Sequence, residues 1–150
     1  VADDQTAGGR PVYRDSAGTL REVSFATAAS AAGSPTASAP AITSTYSMPP
    51  AVDGTNATLV AAGARSLVSV DAYNARTSGV SIQFYDTSAV PVVGTDKPKW
   101  TVYVPSLTPA NRVYPTGIRF TQGLAFALIP DDAPGLMAGD IQGLNLGYAP

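Results

Sequence analysis

Between Ala26 and Thr45 every residue except Ile42 is Ala, Ser, Thr, Gly or Pro. Such a run has almost no apolar bulk to bury, so it cannot build a core. Alanine is the best helix former, and a helix over residues 26–41 has to be weighed. Ser30, Gly33, Ser34, Pro35, Ser38 and Pro40 interrupt it, and no apolar stripe recurs at helical spacing to dock it. Extended chain is the expectation. From Ala64 to Tyr148 the character reverses, into short β-branched and aromatic runs cut by Gly and Pro. The contrast divides the chain into an N-terminal arm, residues 1–50, and a β domain, residues 51–150. About 100 residues is the size of a small β-sandwich.

Within the arm, Val12 and Tyr13, then Leu20, Val23 and Phe25, flank Asp15-Ser-Ala-Gly18, a good turn sequence. The spacing predicts a small hairpin over 11–25. Two strands alone are marginal in water, so this hairpin needs a surface to lie on. Residues 42–48 alternate loosely and predict an edge strand ahead of Pro49-Pro50.

In the β domain, 55–61 reads as a short strand. Residues 65–74 alternate with period two, which puts Leu67, Ser69, Asp71 and Tyr73 on one face and Val68, Val70 and Ala72 on the other. Val80, Ile82 and Phe84 form the inward face of the next strand, and 88–97 is a loop. Strands are expected at 100–104, at 112–114 (stopped by Pro115) and at 141–148. Residues 117–121 and 123–129 are expected to pair around Gln122-Gly123. About eight strands with turn signals every 8–12 residues predict an all-β fold, a single antiparallel, jelly-roll-like sandwich.

The chain contains no histidine and no cysteine. That removes Ser-His-Asp and Cys-His nucleophiles, the usual zinc sites and disulfides. A net charge of −2 with nine basic residues leaves no basic field for nucleic acid. No apolar run approaches the ~20 residues that cross a bilayer, and the first residues have no signal-peptide pattern. Catalysis would fall to carboxylates. Asp71 and Asp86 are the pair a glycosidase reading would use, against the plainer reading that Asp caps turns and loops. Asp131, Asp132 and Asp140 could offer oxygen ligands to calcium, though no known spacing supports it. Asn56-Ala-Thr58 matches a glycosylation acceptor, a triplet common by chance. Tyr73, Tyr85, Trp100, Tyr103 and Tyr114 could form a sugar- or protein-binding platform, although strand aromatics more often pair or fill cores. Trp100 and Tyr103 are the candidate surface contacts among them. No cofactor is expected.

Four blocks carry a resemblance: Ser69-Val-Asp-Ala-Tyr-Asn74, Ile82-Gln-Phe-Tyr-Asp86, Pro91-Val-Val-Gly-Thr-Asp-Lys-Pro98 and Gly117-Ile-Arg-Phe-Thr-Gln-Gly-Leu-Ala-Phe-Ala-Leu128. In order and spacing they resemble small virion proteins of tailed bacteriophages, from about Leu67 to Tyr148. The resemblance departs after Ile129, where residues 130–137 are shorter and more apolar, and it does not reach the first 50 residues. It implies a β-sandwich that decorates or cements the capsid surface, often as an oligomer, and brings no catalytic residues.

The expected function is therefore assembly, with the major capsid protein and other copies of the chain as partners, in a dimer or trimer. Tyr13, Leu20, Val23, Phe25 and Ile42 are the expected anchors of the arm. The alternatives are a tail-fibre or baseplate module, a carbohydrate-binding sandwich reading a host-surface glycan, and a two-carboxylate enzyme.

Overall fold

A computed structural model describes the backbone of β1 (Thr6–Ala7), β2 (Arg10–Arg14) and β3 (Leu20–Glu22), together with residues 40–132 and 135–150. The chain divides into two compact units, Val1–Thr36 and Ala37–Pro150. In the first unit β2 and β3 are antiparallel, with Val12 opposite Glu22 and Arg14 opposite Leu20. These are the arms of the expected hairpin. β1 adds a third strand through Thr6 opposite Pro11, where sequence suggested none. Val23, Phe25 and the turn at 15–19 lie outside the described residues.

The second unit carries eight strands: β4 (Ser44–Ser47), β5 (Thr58–Ala62), β6 (Arg65–Asn74), β7 (Val80–Asp86), β8 (Trp100–Val104), β9 (Pro109–Phe120), β10 (Gly123–Pro130) and β11 (Ile141–Ala149). The unit starts earlier than the compositional boundary at residue 50. β4, made of small residues around Tyr46, pairs with β11 as an edge strand and closes one end of a sheet.

First pairs with last, second with seventh, third with sixth and fourth with fifth: β4–β11, β5–β10, β6–β9 and β7–β8. The unit is thus one long antiparallel ribbon rolled up on itself. Rolling adds β11–β6 and β10–β7, giving two four-stranded sheets ordered β4-β11-β6-β9 and β5-β10-β7-β8. This is the strand order of a jelly roll.

The roll overturns the expected pairing of 117–121 with 123–129. β9 and β10 are consecutive, but they lie in different sheets because the ribbon turns a corner between them. At that corner Gly63, with φ of 75°, donates its N–H to Gln122 O (2.8 Å). Gly123 lies opposite Ala62, where a Cβ would collide with the carbonyl groups of Thr87 and Ala61.

β9 also does not stop at Pro115. As an edge strand it can hold a proline whose missing N–H costs no ladder bond. Between Leu67↔Ile118 and Ser69↔Val113, one residue of β6 is matched by four of β9, with Gly117 at φ 68° in the bulged stretch. A matching bulge beside β11 resets the face of β6. Leu67 therefore joins Val70 and Ala72 in the core, instead of sharing a face with Ser69 and Asp71.

Phe84, Phe120, Phe126, Ile82, Leu124 and Leu146 are fully buried between the sheets. Tyr46 and Phe126 meet edge to face across them, centroids 5.8 Å apart. Val80, Ile82 and Phe84 point inward as their spacing predicts. β10 is buried on both faces. Leu124, Phe126 and Leu128 enter the core, while Ala125 and Ala127 lie under a second cluster with Tyr85, Leu59 and Ala57.

Candidate functional site

The carboxylates are structural. Asp86, at the end of β7, accepts from Thr121 N–H (2.7 Å), Gln122 N–H (2.7 Å), the Thr121 hydroxyl (3.0 Å) and Lys99 Nζ (2.8 Å). It staples the corner between β9 and β10 to the start of β8. Burial alone would raise its pKa, but Lys99 and the Gln122 and Thr121 donors more than offset that and hold the carboxyl well below the usual carboxylate range. Lys99 in turn lies 5.4 Å from the Phe120 ring centroid. Asp71 belongs to the other sheet, on a row shared with Asn145 and Asn111, so the two carboxylates of the glycosidase reading are not brought together.

A depressed pKa stabilises the fold at pH values above the unfolded-state pKa, about 3.9 for Asp, and that contribution is lost as pH falls through the folded value. Asp86→Asn should therefore flatten the loss of stability below about pH 4. At neutral pH it should cost about 2 kcal/mol, the scale of hydrogen bonds to a charged group. Urea titrations at pH 7 and pH 3 measure both effects, and an unchanged acid limb would remove Asp86 from this role.

Two of the three acidic residues of the calcium reading, Asp132 and Asp140, converge, but on an arginine. Arg76, with only 8% of its side chain exposed, bonds Asp132 Oδ1 through Nη2 (2.7 Å) and Asp140 Oδ2 through Nη1. It also donates to Gly135 O (2.6 Å) and the Ser78 hydroxyl (3.1 Å). The guanidinium fills the position a cation would need. Asp132, followed by Asp140, raises the Arg76 pKa, and the Ser78 hydroxyl and Arg76 lower that of Asp132. Asp131 stands apart, paired with the Tyr103 hydroxyl, whose pKa it raises. Buried Asn74 completes the hub: its Nδ2 contacts Ser78 O (2.8 Å), Val104 O (3.1 Å) and Pro105 O (3.0 Å), and its Oδ1 accepts from Arg76 N–H (3.0 Å). Sequence reading missed Asn74 and Arg76. No local pattern marks them, since Asn74 ends the mixed strand β6 and Arg76 lies two residues beyond it. Asn56 is likewise engaged in its own loop, bonding Val52 and Gly54 at φ 50°.

The aromatic residues form no common platform. Tyr85 is buried, with burial and nearby Asp96 raising its pKa. Tyr73 and Tyr114 belong to one sheet, Trp100 and Tyr103 to the other. Trp100 and Tyr114 meet at 87°, joined by an Nε1 to hydroxyl bond of 3.0 Å. This pair seals the mouth between edge strands β8 and β9. Exposed apolar side chains lie along β8, its following turn and β9: Trp100 (43% exposed), Tyr103 (51%), Leu107 (57%) and Val113 (65%). Ile42 lies over Gly147 and beside Ser69, on the outside of its own sheet, and Pro40 lies over Gly117.

These features define an all-β jelly-roll domain whose polar clusters hold its own corners. No protein-family model matches the chain, and no curated protein matches it. A solved structure similar to it is the coat protein of Tobacco streak virus, at a TM-score of 0.38 and 14% identity, covering 71% of this chain and 84% of that one. At that level of likeness the functional reading rests on this chain's own residues.

Proposed function

We propose that the chain is a structural protein of a virus particle, and within that class a head decoration or cement protein bound to the lattice of a major capsid protein. The observation that carries this is an eight-stranded roll behind an arm of small residues, in a chain without histidine or cysteine. A fold alone assigns no function. The sequence blocks that resemble phage virion proteins supply the direction, and the engagement of Asp86 and Arg76 in holding the fold supports it.

In this reading the sandwich is a rigid knob on the capsid surface, and Tyr13, Leu20, Val23 and Phe25 anchor the arm across seams between subunits. Ordering an arm costs about 1–2 kcal/mol per residue, which burial and strand addition to an open edge must offset. Ile42 is the exception among the expected anchors. It already rests on Gly147, with about half its surface (48%) left for a neighbour.

The strand order favours a second reading, a subunit that builds the shell itself, since jelly rolls recur in viral capsids. Purified protein mixed with heads lacking it separates the two. Decoration gives saturable binding at a fixed ratio to the capsid subunit and heads that resist heating better. Closed shells formed by the chain alone would support the second reading, and no binding would overturn the first.

A further inference from the structure

The four sheet edges are not equally protected. β9 carries Pro109, Pro115, Arg112, Arg119 and its bulge, and β4 is four residues long and followed by Pro49-Pro50. β5 is short and irregular in register against β10. Bulges, prolines, charges and short length are the devices that stop one edge pairing with another. β8 is as short as β5 and is flanked by Pro98 and Pro105, but within the strand it carries no bulge, no proline and no charge. Trp100-Thr-Val-Tyr-Val104 is uncharged, runs in unbroken register from Phe84↔Trp100 to Val80↔Val104, and pairs only with β7 among the described residues. We propose that β8 is a self-association edge, which pairs antiparallel with β8 of a second copy about a two-fold axis at Val102.

Antiparallel pairing turns alternate residues to opposite sides. Val104 directs its carbonyl inward, to Asn74 Nδ2, so Val102 shares that direction, and Thr101 and Tyr103 present their backbone groups outward. A two-fold at Val102 sets Thr101 of each copy opposite Tyr103 of the other and forms four backbone hydrogen bonds. Pro98 and Pro105 bracket the segment, and Pro105, having no N–H, resists a slipped register. The flanking charge of Lys99 is neutralised by Asp86 at 2.8 Å. Tyr103 is held in place over Gly79, where a Cβ would strike its ring and Asp131.

The same pairing explains two otherwise unsatisfied features. It brings the turn after β8 of one copy to the end occupied by the loop before β8 of the other. That turn carries Leu107, exposed and at φ 52°, a costly backbone state for leucine. That loop carries Val90, Val92 and Val93, all exposed and held outward by Asp96 bonded to Val92 N–H (2.7 Å). Apolar groups at matching ends make the surface complementary to itself, as a two-fold interface requires.

This goes beyond the proposed function, and it is tested on the isolated full chain, so its failure leaves particle binding untouched. Sedimentation should show a dimer that dissociates on dilution. Thr101→Pro removes an outward N–H from each copy at a position where an edge strand tolerates proline, and should weaken association at least ~10-fold with far-UV circular dichroism unchanged. The chain has no cysteine and Val102 is buried in the core, so the double variant Thr101→Cys, Tyr103→Cys, at exposed positions that oppose each other across the axis, reports it. Opposed hydrogen-bonded residues stand ~5.5 Å apart, within disulfide reach. The double variant should oxidise to a covalent dimer faster than Val113→Cys on β9. A monomer at every concentration, a trimer, a folded Thr101→Pro protein that dimerises normally, or preferential cross-linking through Val113→Cys would each overturn the proposal. If Thr101→Pro does not fold, the cross-linking comparison decides.

Discussion

Gly123→Ala should destabilise the sandwich by about 3 kcal/mol, at the upper end of what a single added methyl costs in a packed site. Its Cβ would be driven into the carbonyls of Thr87 and Ala61, which are backbone and cannot swing aside. Thr87 cannot retreat without losing its own N–H bond to Gly123 O (3.2 Å). The corner where the ribbon passes from β9 into β10 would have to open. Chemical denaturation measures the loss, and the Asp86 staple should weaken with it, so Gly123→Ala and Asp86→Asn should combine non-additively. Gly94→Ala is the control with open space around it, although its φ of 86° carries some strain of its own. Equal small losses at both positions would contradict the corner account.

Arg76→Leu should cost a similar amount, about 3 kcal/mol, the scale for removing one partner of a buried ion pair. In a domain of this size that lowers the melting temperature by roughly 10 °C. The loss comes mainly from what is left behind, because Gly135 O loses its donor and Asp140 keeps only the Met137 N–H in place of a guanidinium. Arg76→Lys should recover only part of it, since one ammonium cannot replace a fork that reaches Asp132, Asp140 and Gly135 together. Neutralising both carboxylates alongside Arg76→Leu should restore much of the stability. A protein as stable as wild type with Arg76→Leu alone would show that the hub is incidental. Added calcium should not raise the melting temperature of the wild-type chain, since the guanidinium occupies the acidic cluster.

What sequence could reveal here follows the range of the interactions. Period-two alternation is local, and it placed the strands at 65–74, 80–86 and 100–104 and the inward face of Val80, Ile82 and Phe84. The pairing of β2 with β3 was signalled instead by the turn residues Asp15-Ser-Ala-Gly18 between them. The partnership of each strand in the roll was not legible, because β9 and β10 adjoin in sequence yet are separated by a corner that depends on Gly63, Gly123 and Asp86 meeting in three dimensions. The shift of Leu67 into the core depends on bulges opposite β9 and β11, which no single-strand pattern records. At the candidate sites, residue types were informative chiefly as exclusions. The missing histidine and cysteine removed whole mechanisms, whereas the fate of each aspartate depended on partners far along the chain. Arg76 bonds across 56 and 64 residues, and its role was invisible until the roll was closed.

The most direct measurement of the account as a whole compares the full chain with residues 37–150 alone, first for thermal stability and then for binding to heads that lack the protein. A self-sufficient roll behind a partner-seeking leader predicts melting within a few degrees of the full chain, with affinity for the particle largely lost. A shortened chain that unfolds, or that binds heads as tightly as before, would contradict it.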